Sequence, residues 1–200
     1  MTDNFEQISK YIESFPPMKD MFFHISVMIR HKDVEWFPDG KNNNARTIYS
    51  VNVSSAQELN DQKKLISTMC DALNARAYIN LSPKSYPAAA AIALENATHS
   101  YVTKNYKGLQ NSWSKGVAKA SIKKYILYLV DIDEPDKPRV NEIIKYLNGE
   151  LRPSGDKVVL QVPSRTGIHL ICRKFDTKNF EEKFPGIDVK KNSMTILYSF

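Results

Sequence analysis

The chain has 200 residues, 42% hydrophobic and 25% charged, with a formal net charge of +6. That mixture belongs to a globular protein with one substantial core or two small lobes, and excludes disordered and fibrous classes. No stretch approaches the run of about 20 apolar residues that spans a bilayer, and Met-Thr-Asp-Asn-Phe-Glu at the start lacks the basic and apolar regions of a secretory leader. The expectation is an intracellular, cytoplasmic protein with no membrane partner, whose positive charge suits polyanions.

Residues 4–15 place Phe5, Ile8, Tyr11, Ile12 and Phe15 at helical spacing, and Pro16-Pro17 stops the helix. Met21 to Arg30 and Arg46 to Val53 alternate and are rich in β-branched and aromatic residues. With the turn-like stretch Asp33 to Asn44 between them, they predict a hairpin. Ser55-Ala-Gln-Glu58 is a capping box opening a helix that carries Leu59, Leu65, Ile66, Met69 and Leu73 and ends near Asn74-Ala-Arg-Ala. A short strand over 77–81 and an alanine-rich helix over 87–102, with Pro87 in its first turn, complete an N-terminal α/β unit, residues 1–106.

Residues 107–122, rich in Gly, Ser and Lys, predict a basic connector. Between Glu95 and Asp131 there is no acidic residue, while Lys104, Lys107, Lys115, Lys119, Lys123 and Lys124 all fall there, interleaved with Tyr101, Tyr106, Trp113 and Tyr125. Lysines neutralise phosphates and aromatic faces stack on bases, so the six lysines and Trp113 are candidate nucleic-acid-binding residues. A solvated connector with a few core aromatics has the same composition. Cys70 and Cys172 fall in a predicted helix and a predicted core strand, which suits buried free thiols in a reducing compartment better than a disulfide.

From Lys123 the predicted order is strand 123–132, helix 138–148, strand 157–163, strand 168–174, helix 177–184 and strand 187–198. This βαββαβ series predicts a sheet in the order 4-1-3-2, with the first strand between the third and fourth. The fold class expected is therefore α+β: a ferredoxin-like, RRM-like βαββαβ lobe over residues 123–200, packed against the N-terminal α/β unit.

The first strand of that lobe, Tyr125-Ile-Leu-Tyr-Leu-Val130, runs into Asp131-Ile132-Asp133. Residues i and i+2 of a strand share a face roughly 7 Å apart, so Ile132 turns inward while the two carboxylates look out together. Like charges held that close raise each other's pKa unless a cation sits between them, and a metal ion is the natural remedy. On the hairpin Pro163-Ser-Arg-Thr-Gly-Ile-His169-Leu-Ile-Cys-Arg173, alternation sends Ile168, Leu170 and Cys172 inward and leaves His169 beside the Asp pair. Gly186-Ile187-Asp188-Val189-Lys190 puts Asp188 and Lys190 on one face. Leu127 and Leu129 share the face of the aspartates, so that face must be partly covered by the N-terminal unit, leaving a cleft with carboxylates at its rim.

Asp-x-Asp ending a hydrophobic strand, Ser/Thr-Gly-hydrophobic-His on a hairpin, and hydrophobic-Asp on a later strand together resemble the archaeo-eukaryotic primase superfamily, which includes primase-polymerases. The resemblance covers about residues 123–198. It implies a metal-dependent nucleotidyltransferase that adds nucleotides from (d)NTPs on single-stranded or primer-template DNA. It further implies that Asp131, Asp133 and Asp188 are catalytic ligands of Mg²⁺ or Mn²⁺, ions suited to all-oxygen donors. His169, with Ser164, Arg165 and Thr166 on the preceding turn and Lys190 beside it, would bind the triphosphate, and Gly167 would allow close backbone approach.

The chain departs from the family where an arginine commonly follows the third motif, because here the sequence runs Thr195-Ile-Leu-Tyr-Ser-Phe200. Lys190, Lys191 and Arg173 are the cations at hand. No helicase, zinc or helical priming segment accompanies the motifs, so a replication helicase or other replisome proteins are expected partners, and the small size fits a phage- or mobile-element-encoded protein. A non-catalytic relative binding single-stranded nucleic acid in a replication or repair complex would carry the same lysines. Each motif also has a plainer explanation: a strand end entering the polar loop from Glu134, a satisfied strand histidine, and turn chemistry after Gly186.

Overall fold

The computed structural model describes residues 1–16, 19–34, 45–133 and 136–200, Lys32 by its backbone only. The elements are β1 (Thr2–Asp3), α1 (Phe5–Glu13), β2 (Met21–Arg30), β3 (Ala45–Val53), α2 (Ala56–Leu73), β4 (Arg76–Ser85), α3 (Tyr86–Val102), α4 (Tyr106–Leu109) and α5 (Ser112–Lys119). They continue with β5 (Tyr128–Asp133), α6 (Lys137–Gly149), β6 (Val158–Pro163), β7 (Gly167–Cys172), α7 (Thr177–Lys183), β8 (Asp188–Lys191) and β9 (Met194–Ser199). The chain is α+β with two antiparallel sheets, ordered β1-β9-β4-β2-β3 and β6-β7-β5-β8.

Local chemistry accounts for several helix ends. Ser55 accepts from the Glu58 amide at 3.1 Å as a capping box requires, while the Glu58 carboxylate accepts from the Ser54 amide at 2.7 Å, one residue before the cap. Asn74 closes α2 in the left-handed conformation, φ 52°. Asp136 and Asp176 cap α6 and α7 through the amides of Arg139 and Asn179. β2 and β3 pair as the predicted hairpin, although residues 35–44 of its turn lie outside the described residues.

Phe5, Ile8 and Ile12 bury the face of α1, and Leu59, Ile66 and Cys70 that of α2. Leu65 and Leu73, expected on the buried stripe, are exposed instead: Leu65 lies off the face carried by Leu59, Ile66 and Cys70, and Leu73 is the last residue of α2. Cys70 and Cys172 are free and buried. Burial pushes each thiol up to about 12, which keeps both protonated and inert at neutral pH.

Two cores follow from the two faces of β5. Leu129, with Ile171 and Val162 of the neighbouring strands, packs among α1, α2 and the first sheet. Val130 and Ile132 pack with Ile143, Leu147 and Phe180 under α6 and α7. The expected cover over the aspartate face is therefore the first sheet with its helices.

Three expected segments also need correction. The strand expected over 123–132 begins only at Tyr128, with a 3-10 turn at Lys123–Tyr125 before it. Its partners stop there, since Tyr128 faces Cys172 and Lys191, the last residues of β7 and β8. Residue 127 is tied instead by its amide to Ser82 Oγ at 3.0 Å and by its carbonyl to the Asn192 amide at 2.8 Å. The strand expected over 187–198 divides at Asn192, which turns left-handed (φ 55°), into β8 in the second sheet and β9 in the first. β9 enters the other sheet between β1 and β4, with Thr195 to Ser199 all buried, so the two sheets share the C-terminal chain. Residues 107–122, expected as a connector, include α4 and α5. Gly116 lets α5 close onto α3: a Cβ there would lie 2.3 Å from the Ala89 carbonyl oxygen.

Candidate functional site

β5 is the central donor of the site because it has a neighbour on each side. Asp131 is the cross-strand partner of His169 on β7 and of Asp188 on β8, so His169, Asp131 and Asp188 form one row across three strands. One residue pair closer to the start of β5, Leu129 faces Ile171 and Lys190; one pair further on, Asp133 faces Gly167. Strand period places all of these side chains on a single face. Ile132, between the aspartates, is buried on the opposite face.

Asp131 is the hub. Its Oδ1 lies 3.2 Å from His169 Nε2, and its Oδ2 accepts from Lys190 Nζ at 2.7 Å. The His169 contact holds the carboxyl well below the usual carboxylate range; partial burial opposes this, and the Lys190 ammonium adds to it. Asp131 is therefore ionised at neutral pH. The same ammonium lies 3.5 Å from Asp188 Oδ2. Burial works to lower the Lys190 pKa, yet the two carboxylates outweigh it and raise it. The cation between Asp131 and Asp188 is thus Lys190, a residue expected to bind triphosphate. Among the described residues no group of three His, Cys, Asp or Glu side chains stands close enough to hold a metal ion.

His169 is oriented from its other ring nitrogen, Nδ1, which lies 2.8 Å from Thr195 Oγ1 at the start of β9. Thr195 is fully buried, so the crossing of β9 into the first sheet is what sets the imidazole. The hairpin turn is closed by the Ser164 amide donating to the Gly167 carbonyl at 2.9 Å, and Asn4 Nδ2 ties the Pro163 carbonyl at 2.9 Å. Thr166 Oγ1 lies 3.4 Å from Asp133 Oδ1. Gly167 is required by β5 itself, since a Cβ would stand 2.0 Å from the Ile132 carbonyl oxygen.

A cavity of about 350 Å³ opens here, lined by Asp131, Asp133, Asp188, His169, Lys190 and the turn 164–166. Its far wall, which local reading missed, comes from the first sheet: Arg30, Arg76 and Tyr78, with Met194 and Ile196 of β9. Arg76 and Arg165 both reach Asp33 Oδ1, at 2.5 and 3.1 Å, clamping the hairpin turn to the first sheet. Arg30 ends β2 and Arg76 begins β4, its partner strand, so pairing of the two strands brings both cations to one end of the sheet, whereas His24 and Ser26 of β2 line a different cavity. Arg173 and Lys191, considered as substitutes for the family's arginine, line a different cavity.

The remaining predicted residues lie elsewhere. Lys104, Lys107, Trp113, Lys115 and Lys119 are exposed on and around α4 and α5, and Lys123 and Lys124 sit on the turn before β5. No helix among the described residues is long and apolar enough to cross a membrane. Comparison of the chain with protein-family models, with curated proteins and with solved structures finds no match.

Proposed function

We propose that the chain is a metal-dependent nucleotidyltransferase of the primase-polymerase type, acting on a nucleic-acid template. The observation that carries this reading is the row His169–Asp131–Asp188 across β7, β5 and β8, with Asp133 two residues on, facing a cavity walled by arginines. The strand order β6-β7-β5-β8 supports assigning the second sheet to the ferredoxin-like, RRM-like class.

In this reaction a 3′-hydroxyl oxygen bonds to the α-phosphorus of a (d)NTP, its proton passes to solvent, and the bond to pyrophosphate breaks. Arg30 supplies positive charge to the triphosphate side of the cavity, beside Arg76 and Arg165, which share the Asp33 carboxylate, and His169, held by Thr195 at Nδ1, would donate from Nε2 to a phosphate oxygen in place of Asp131. The three carboxylates are all oxygen donors, which fits Mg²⁺ or Mn²⁺. Asp131, Asp133 and Asp188 would hold the ion with their carboxylates drawn closer together than they stand here and the Lys190 ammonium displaced from Asp131 and Asp188. Such an ion, when bound, neutralises charge on the attacking and leaving oxygens. Lys190, released, is free to meet phosphate.

Template, (d)NTPs and Mn²⁺ should give extended product that disappears in the Asp131→Ala, Asp133→Ala double variant. Absence of product under every condition, or equal product from the double variant, overturns the reading. The Lys190 bridge itself favours a second one, a non-catalytic single-strand-binding relative in which the ammonium stands permanently where an ion would sit. That alternative predicts nucleic-acid binding with no transfer and no Mn²⁺ uptake by calorimetry.

A further inference from the structure

At the opposite end of β5 lies a larger cavity, about 910 Å³, with no carboxylate among its lining residues. Five cations from three separate segments surround it: Lys123 and Lys124 before β5, Arg173 and Lys174 after β7, and Lys191 at the end of β8. Its floor is aromatic. Tyr11 and Phe15 come from α1 and the residues after it, and Tyr125 from the 3-10 turn, with Phe15 and Tyr125 meeting edge to face at 5.7 Å. All five cationic side chains are exposed, and the aromatic rings are half-buried. The Lys124 ammonium caps the Tyr125 ring at 4.6 Å.

The geometry points to a second nucleotide-binding site here, for a base and phosphates of single-stranded nucleic acid. Half-buried rings provide stacking faces of fixed position, and the surrounding ammonium and guanidinium groups have no internal carboxylate to satisfy them within the cavity. Phosphates are the anions that complement five cations spread around an aromatic floor. An incoming base takes the place of the Lys124 ammonium over Tyr125, and the displaced lysine turns to the adjoining phosphate. Tyr128 lies three residues before Asp131, about 10 Å along the strand. A strand seated in this cavity is therefore held near the carboxylate cleft without entering it. The site is independent of the catalytic reading, because none of its residues belongs to the cleft.

The test measures anisotropy of a fluorescein-labelled oligothymidylate on the Asp131→Ala, Asp133→Ala chain, so that loss of transfer and loss of this site are read separately. Binding is expected to survive those substitutions and to weaken with salt. Combined Lys123→Ala, Lys124→Ala and Lys191→Ala should make the log–log salt slope shallower by about 2, the value for three phosphate contacts on a single strand. Tyr125→Ala should weaken binding by about tenfold at high salt. Photo-cross-linking of an iodouracil-containing strand to the unsubstituted chain gives a readout that needs no variant. Adducts on Tyr11, Tyr125 or Tyr128 support the site, and adducts confined to Tyr101, Tyr106 or Trp113 overturn it. Equal displacement by inorganic polyphosphate and by oligothymidylate of the same charge overturns it as well, since polyphosphate has no base to stack. Displacement by free thymidine triphosphate as strong per nucleotide as by the strand would identify the occupant as a free nucleotide and overturn the strand assignment.

Discussion

The two ends of β5 carry opposite chemistry. At the Asp131 end, one partly buried carboxylate meets His169 and Lys190 at short distance and is held ionised by both, with the exposed Asp133 and Asp188 beside it. At the Lys123 end, exposed cations ring a set of aromatics with no carboxylate among them. The first end is tied at its buried pair, so removing Asp131 leaves the largely buried His169 Nε2 without its partner. The second is open to water and salt, so each cation there contributes little singly and the set contributes through its number.

This contrast can be broken at several points. Under the proposed function the largest effect is expected from Asp131→Ala with Asp133→Ala, which should reduce nucleotidyl transfer by about three orders of magnitude in a primer-extension assay. Leu129→Ala removes the side chain that seals the aspartate face against the first sheet and should cost about 2–5 kcal/mol by denaturant unfolding. Gly167→Ala forces a Cβ into the Ile132 carbonyl and should cost about 1–3 kcal/mol, with transfer falling alongside. Lys190→Met removes the ammonium that competes for Asp131 and Asp188. Because that side chain is nearly half exposed (45%), the pair is worth only about 0.2–1 kcal/mol, so Mn²⁺ affinity by calorimetry should rise about two- to fivefold.

The smallest effect concerns acid stability. The folded pKa of Asp131 lies below its ordinary value of 3.8, so its contribution to stability is complete above that pH and is lost as pH falls below it. Asp131→Asn should therefore flatten the acid limb of a stability profile below about pH 4 and leave its shape near neutrality unchanged. A persistent acid limb in that variant would assign the loss to other carboxylates.

Much of the second sheet was legible locally. Alternation along 126–133 and 167–173 was enough to put Asp131, Asp133 and His169 outward and Val130, Ile132 and Leu170 inward, and the observed register agrees. The hairpin β2–β3, the box at Ser55 and the helix at Lys137 carry their signals within a few residues. The 3-10 turn at Lys123–Tyr125 was not legible, because Ile126 and Leu127 look like strand and only the absence of partner strands beyond Cys172 and Lys191 prevents it. Nor was Thr195, whose hydroxyl fixes His169 from a strand in the other sheet.

By itself, then, the sequence determined which way each strand residue points, because side-chain direction follows a two-residue period set by the neighbouring backbone. It also determined which helices could start, through caps a few residues long. Only the tertiary structure decided that the last strand leaves the second sheet for the first, that Arg30 and Arg76 face Asp131 and Asp188 across a cavity, and that Lys190 lies between those two carboxylates. Those outcomes rest on burying β9 between β1 and β4 and on where long, charged side chains find their partners, and both are settled by surfaces far apart in the chain.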